Sequence, residues 1–140
     1  MEITTEILQE KFEEYNNLYF NGELPLPRFG LLKSYMTCGY FSCKKIIGKR
    51  KLRGQRIDIS CYYDWEEEGL RDILVHEMIH YYLAYTGKDR NCRHGKAFKE
   101  MAGIFELNYK INIESHVDLS QYRRREGTPL LDYWWSKLFY

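Results

Sequence analysis

Two histidines and one glutamate interrupt an otherwise apolar segment of this 140-residue sequence. Residues 73–85 read ILVHEMIHYYLAY, and His76, Glu77 and His80 are the exceptions to their apolar and aromatic character. Apolar residues on every side are typical of a helix buried in a core, and a spacing of four places both imidazoles on the same face. Two such imidazoles can occupy adjacent corners of a tetrahedral zinc site, and the glutamate can then accept a proton from water at the metal. The pattern predicts a zinc centre of the HExxH type.

The third ligand of such a centre defines its subclass. The metzincin pattern requires Gly at position 83 and His at position 86, but this chain has Leu83 and Thr86, so that subclass is excluded. We favour His94, because Gly95 follows it and lets the backbone approach another element closely. Three other side chains of types that zinc accepts remain alternatives: Glu100, Cys92 and His116.

The metal helix and an N-terminal helix are both predicted from apolar spacing and end signals. Asp64 and Glu67 form a capping pattern at the start of the metal helix, and Gly87 is its predicted C-terminal stop. The N-terminal helix is predicted to end at Asn21-Gly22. Its apolar face consists of Leu8, Phe12, Tyr15 and Tyr19.

A further helix is predicted to begin after Gly95. In this helix Glu100 is expected on the surface, paired with Lys96 one turn away. Alternation over residues 109–113 suggests a short strand, and Thr128-Pro129 suggests the start of a last helix. The inner face of the helix after Gly95 consists of Ala97, Phe98, Met101, Ala102 and Phe105.

Three short strands are expected between residues 29 and 61, and we predict that they form a small antiparallel sheet. Residues 29–35 and 40–43 are aromatic-rich runs on either side of a turn near Cys38-Gly39. Residues 57–60 alternate apolar and polar side chains with period two, as a half-buried strand does.

A basic segment lies between the second and third predicted strands. Residues 44–56 carry seven positive charges and no acid, although the whole chain has a net charge of +1, so the rest of the chain is net acidic. Gly48 and Gly54 favour a basic hairpin tip, which could bind nucleic acid by displacing counterions or could be a solvated tip. Tyr40 and Phe41 could stack on bases if they face outward. The candidate nucleic-acid-binding residues are Lys44, Lys45, Lys49, Arg50, Lys51, Arg53 and Arg56.

Length and composition indicate one domain over residues 1–140. No apolar run approaches the roughly 20 residues that span a bilayer, and the first residues lack the features of a signal peptide. Four cysteines without a CxxC pair are typical of reduced thiols. We therefore expect a cytoplasmic protein, compatible with association with the nucleoid, and no membrane partner.

The two histidine clusters and an upstream stretch resemble the SprT-like zinc metalloprotease family, which includes bacterial SprT and eukaryotic Spartan, a DNA–protein crosslink protease. The resemblance is carried by residues 76–83 (HEMIHYYL), 94–98 (HGKAF) with Met101, and 20–25 (FNGELP). It covers about residues 12–105 and leaves residues 109–140 as an unassigned extension.

The resemblance implies an α+β, zincin-like domain of minimal gluzincin type. Its expected order is an N-terminal helix, a small three-stranded antiparallel sheet, the HExxH helix and a following helix. It further implies one Zn²⁺ held by His76, His80 and His94, with Glu77 as the catalytic acid and base.

The leading hypothesis is hydrolysis of peptide bonds in a protein or peptide substrate by water activated at zinc. Tyr81, Tyr82 and the arginines are candidates for stabilising the oxyanion, and the choice among them stays open. The resemblance also favours single-stranded or distorted DNA as a partner of the 44–56 hairpin. The alternative is a zinc-stabilised, non-catalytic module that binds or recruits nucleic acid, which a fourth protein ligand at the zinc would favour.

Overall fold

The computed structural model describes residues 1–45, 52–89 and 91–113, together with the backbone of residues 123–124. In this part of the chain one helix is followed by four strands and then by two helices and a short strand, an α+β arrangement. In chain order they are α1 (Thr5–Tyr19), β1 (Arg28–Leu32), β2 (Gly39–Lys45), β3 (Leu52–Ser60), β4 (Tyr63–Asp64), α2 (Glu67–Tyr85), α3 (Lys96–Tyr109) and β5 (Arg123–Arg124).

The N-terminal helix α1 is confirmed, and it ends at Tyr19, just before the predicted stop at Asn21-Gly22. Thr4 is its N-cap, and the Thr4 hydroxyl oxygen accepts a hydrogen bond from the Ile7 backbone N–H at 3.1 Å. Beyond the helix, Asn21 and Gly22 adopt positive φ values of 55° and 68°, which turn the chain away. The predicted apolar face is largely buried, with Leu8, Phe12 and Tyr15 in the core and Tyr19 packed against it.

The three-stranded sheet is mixed, so the prediction of an antiparallel sheet is wrong. Its order is β1-β3-β2, with β3 parallel to β1 and antiparallel to β2. Ile57 of β3 therefore lies opposite Phe29 on one side and Phe41 on the other. Ile57 and Ile59 of the central strand are fully buried, because a central strand loses surface to a neighbour on each side.

Asp58 and Ser60, the polar residues of the strand predicted over residues 57–60, are also buried, contrary to the prediction of a half-buried strand. Asp58 lies under the side chain of Arg56, whose Nε donates to its carboxylate at 2.9 Å. Ser60 is fully buried, and its hydroxyl donates to the backbone oxygen of Ser34. Each polar group thus has a partner within the described residues, which offsets the cost of its burial.

The long helix α2 packs against the sheet and is buried along almost its whole length. Its N-cap is Glu66, so the predicted cap at Asp64 is wrong. Asp64 lies instead in β4, where its carboxylate pairs with the amino group of Met1. At the other end Gly87 has a φ of 77°, and the predicted C-terminal stop is confirmed.

Helix α3 begins directly after Gly95, as predicted, and buries Phe98, Ala102 and Phe105. Tyr109 belongs to this helix, and Lys110 follows it with a φ of 56°, so the predicted strand over residues 109–113 is absent. Ile111 and Ile113 are buried in the core, and this explains why apolar residues alternate here although no strand forms.

The chain also pairs β4 with β5 in a two-stranded antiparallel ladder. The helix predicted from Thr128-Pro129 lies outside the described residues. None of the helices in the described ranges is long and apolar enough to cross a membrane.

Candidate metal centre

Two elements bring three histidines to one point. His76 and His80 project from the same face of α2 and are buried, while the segment before α3 supplies the exposed His94. The Nε2 atom of His94 lies 3.2 Å from Nε2 of His76 and 3.1 Å from Nε2 of His80. The same ring nitrogen of each imidazole therefore faces a common centre. Within the described part of the chain, these three form the cluster of ligand-type side chains close enough to hold a metal ion.

The spacing of these nitrogens fits zinc. Zn–N bonds of about 2.0–2.1 Å in a tetrahedral site separate neighbouring nitrogens by about 3.3–3.4 Å, close to the observed 3.1 Å and 3.2 Å. Burial, followed by the charge of His94, lowers the pKa of His80 to about 4, against a smaller opposing effect of Asp89. His80 is thus neutral near pH 7, and the neutral imidazole is the form that binds a metal. The donor set fits one zinc ion held by His76, His80 and His94.

Phe98 packs against all three imidazoles from the first turn of α3. Its ring centroid lies 4.9 Å from that of His76, 4.6 Å from that of His80 and 4.8 Å from that of His94. The side chain is fully buried. The ring therefore limits the orientations open to the three ligands, a role beyond the core position that its spacing predicted.

Glu77 follows His76 directly in α2 and has 5% of its surface exposed. Its Oε2 atom is buried and has no hydrogen-bond partner among the described residues. Burial raises the pKa of Glu77 to about 8. A buried carboxyl oxygen without a partner costs free energy, so this atom is suited to a ligand, such as water, that the apolar surroundings do not supply.

A glycine in the sheet allows Glu77 to lie where it does. A Cβ atom on Gly39, the first residue of β2, would lie 3.2 Å from Cγ of Glu77, 3.0 Å from Cγ2 of Ile73 and 3.1 Å from Cδ1 of Ile59. Such distances are shorter than ordinary van der Waals contact. The absence of a side chain at Gly39 thus sets the distance between β2 and α2. Gly39 was expected only near a turn, and its contact with the glutamate is a finding of the structure.

Two of the alternative ligands lie apart from the centre, since Cys92 and Glu100 are not members of the cluster. Glu100 is exposed, with its Oε1 atom 3.8 Å from Nζ of Lys96, in the predicted surface pair. His116 lies outside the described residues.

Tyr81 and Tyr82, the named candidates for an oxyanion donor, both have structural contacts. The Tyr81 hydroxyl donates to the backbone oxygen of Pro25 at 2.7 Å, and its ring stacks on Phe41 at 5.2 Å between centroids. Its burial raises the pKa of Tyr81. Tyr82 packs on Phe20, with 5.6 Å between centroids. The Tyr81 hydroxyl thus holds the Pro25 segment against α2. Its proton is already used in this hydrogen bond.

The described residues of the basic segment, 44–45 and 52–56, lie in the β2–β3 ladder. Lys44 lies opposite Arg53 and Lys45 opposite Leu52. Lys44, Arg53 and Arg56 are exposed. The register shifts by one residue between the pairs Ser42–Arg56 and Lys44–Arg53. Gly54 lies in this interval with a φ of 66°, which is typical of a bulge. Lys49, Arg50 and Lys51 lie outside the described residues.

The two aromatic residues beside this segment point in opposite directions, as neighbours in a strand do. Tyr40 faces outward with 56% of its surface exposed. Phe41 is 3% exposed and packs in the core, so it is not available for stacking on bases.

The fold and the histidine cluster define a class of protein: a small α+β domain in which three histidines, two of them on an HExxH helix, could hold a metal ion. The family model described as SprT-like matches residues 8–116, more than three-quarters of the chain. The chain therefore belongs to the SprT-like family. A search of curated proteins and a search of solved structures found no match.

Proposed function

We propose that this protein is a zinc-dependent metallopeptidase of zincin-like architecture that binds one Zn²⁺ through His76, His80 and His94. The observation that carries the proposal is the convergence of three Nε2 atoms. In addition Glu77, the residue next to His76 in α2, has a buried carboxyl oxygen that lacks a hydrogen-bond partner among the described residues. Three protein ligands leave one tetrahedral position for water or substrate, which is the arrangement of catalytic zinc sites. Membership of the SprT-like family supports the same assignment.

Glu77 performs the proton transfers in this mechanism. Bound zinc lowers the pKa of water and polarises the peptide carbonyl. Glu77 accepts the proton of the attacking water and later donates it to the leaving amine. A pKa raised to about 8 by burial suits a group that both accepts and donates a proton near neutral pH. The backbone at Gly39 and the neighbouring core restrict where the Glu77 side chain can lie.

The test is Glu77→Gln in the full chain. We expect this variant to bind one equivalent of zinc, as wild type does, and to lose at least 100-fold in the rate of cleavage of an unfolded protein substrate, since general acid–base catalysis contributes about 10²–10⁴-fold. Glu100→Gln, an exposed carboxyl of α3, is the matched control and should retain activity. Undiminished cleavage by Glu77→Gln would show the mechanism to be wrong.

The alternative function is a zinc-stabilised module that binds nucleic acid without cleaving anything. A structural zinc site is closed by four protein ligands, whereas three histidines form the cluster within the described residues. Zinc-loaded wild type that cleaves no protein, with or without DNA, would favour this alternative.

We extend the proposal to a partner: single-stranded or distorted DNA, bound through the 44–56 hairpin. Lys44 and Arg53 support it, because they lie directly opposite each other on the ladder and both are exposed. Like charges at such positions destabilise a sheet, and an anionic partner would relieve this repulsion. Exposed Tyr40 on the same hairpin offers a stacking surface. Protein attached to such DNA would then be the substrate, and a cytoplasmic location beside the nucleoid belongs to the same proposal.

Charge reversal tests the DNA interaction. The variant replaces Lys49, Arg50, Lys51 and Arg53 by Glu, and we expect weaker binding of single-stranded DNA with a shallower salt dependence. Cleavage of a free unfolded peptide should persist, because the metal centre is unchanged. A control with the same change of net charge replaces four exposed lysines elsewhere: Lys88, Lys96, Lys99 and Lys110. Equal losses of DNA affinity in both variants would refute a specific role for the hairpin.

A further inference from the structure

We propose that Asp89 is a positioning residue for the metal centre: its carboxylate folds the segment that carries His94 and so fixes the third ligand. The inference rests on the proposed zinc site. It assigns a role to a buried acid that the mechanism above does not use.

Asp89 is the hydrogen-bonding centre of the α2–α3 connection. Its carboxylate is buried. Oδ1 accepts the backbone N–H of Asn91 at 2.9 Å, and Oδ2 accepts that of Arg93 at 3.2 Å. Burial raises the pKa of Asp89, but these two bonds and the side chain of Arg93 lower it, and the net result is a lowered pKa, so the group is charged at neutral pH. Both carboxylate oxygens are thus used to fold the chain immediately before His94.

The same residue anchors the connection to the metal helix. The backbone N–H of Asp89 donates to the oxygen of Leu83 at 3.1 Å, one turn after His80. The connection also contains Cys92 at a φ of 53°, a conformation that disfavours residues other than glycine. The carboxylate therefore bridges the end of α2 and a strained turn whose next residues lead to His94.

His94 depends on this turn more than the other two ligands depend on their surroundings. His76 and His80 lie inside a helix whose backbone hydrogen bonds and packing fix them. His94 is exposed and precedes Gly95, the N-cap of α3, which has no side-chain cap. Without the carboxylate, the connection would gain conformational freedom that zinc binding must then remove. The distance between His94 and the two helical ligands is the quantity that Asp89 controls.

The experiment measures zinc affinity by competition with a chromophoric chelator, together with the visible absorption spectrum of the Co²⁺-substituted protein. Asp89→Ala should weaken zinc binding about 10- to 100-fold, the usual effect of losing a group that orients a ligand, and should change the Co²⁺ spectrum. Asp89→Asn, which replaces one acceptor by a donor, should give a smaller loss and keeps the test valid if the alanine variant does not fold.

Two controls separate the backbone hydrogen bonds from other effects. Arg93→Gln removes an exposed side chain whose Nε lies 3.6 Å from the Asp89 carboxylate and leaves both backbone bonds, so zinc affinity should stay within twofold. Glu100→Gln removes a distant exposed acid and should also leave it unchanged.

The outcomes distinguish this inference from the proposed function. If wild type binds no zinc, the proposed function fails. If wild type binds zinc and both Asp89 variants bind it within twofold, the role of Asp89 is refuted, even if the metal-free variants unfold at lower temperature. A loss of affinity confined to the Asp89 variants supports the role.

Discussion

The absence of a side chain at Gly39 leaves room for the side chain of Glu77. We predict that Gly39→Ala lowers cleavage activity at least 10-fold while the protein still binds zinc, because a Cβ atom would displace Cγ of Glu77 but would not touch the imidazoles. Overpacking of this kind costs about 1–3 kcal/mol of stability. The measurements are kcat/KM, zinc content and the free energy of unfolding.

The matched control for this substitution is Gly103→Ala in α3, where nothing lies within 4 Å of the added Cβ atom. This change should leave activity unchanged and raise stability by about 0.5–1 kcal/mol, as replacing glycine within a helix does. Wild-type activity in Gly39→Ala would contradict the prediction, because it would show that cleavage tolerates a displaced Glu77 carboxyl.

Asn16 fixes the connection between α1 and β1. Its Nδ2 donates to the backbone oxygen of Leu24 at 2.9 Å, and its Oδ1 accepts the Leu24 N–H at 3.2 Å. The backbone oxygen of Asn16 also accepts the N–H groups of Phe20 and Gly22. These contacts explain the structure of the FNGELP stretch. It forms a tight turn after α1 that brings Leu24 back to the buried side-chain amide of Asn16.

We predict that Asn16→Ala destabilises the fold by about 2–4 kcal/mol, because it leaves the Leu24 N–H and C=O buried without their partner. Zinc affinity of the folded fraction should be unchanged, since the site is not contacted. Chemical denaturation measures the stability, and Asn17→Ala, an exposed neighbour in the same helix, is the control. Similar losses in both variants would contradict the assignment.

At the scale of elements, the sequence predicts the helices better than the sheet. The spacing of Leu8, Phe12 and Tyr15 is local, and so is the apolar helix around His76 and His80, so both helices could be read from periodicity. Pairing is not local: nothing in the alternation of Ile57 and Ile59 reveals that this strand takes the centre. The contact of Gly39 with Glu77 escaped prediction for the same reason, because it joins residues far apart in the chain.

Across the whole molecule, zinc would join the end of α2 to the start of α3. We predict that chelation lowers the midpoint of thermal unfolding, because an ion that binds the folded state stabilises it by about 4 kcal/mol at a concentration 1,000 times Kd. Differential scanning calorimetry with EDTA and with added Zn²⁺ measures the shift. His94→Ala, which removes one ligand, should show a much smaller shift. An equal midpoint with and without zinc in wild type would argue against a bound ion.

The strand order β1-β3-β2 has a consequence for how the protein assembles. The β2–β3 ladder joins residues close in sequence, such as Lys45 and Leu52. Parallel pairing of Phe29 with Ile57, by contrast, must wait until β2 and β3 have both been made. Closing the longer loop loses more chain entropy, and such non-local contacts form late in folding. During synthesis, the basic hairpin should therefore form first, and the first strand of the sheet to leave the ribosome should be the last to take its place.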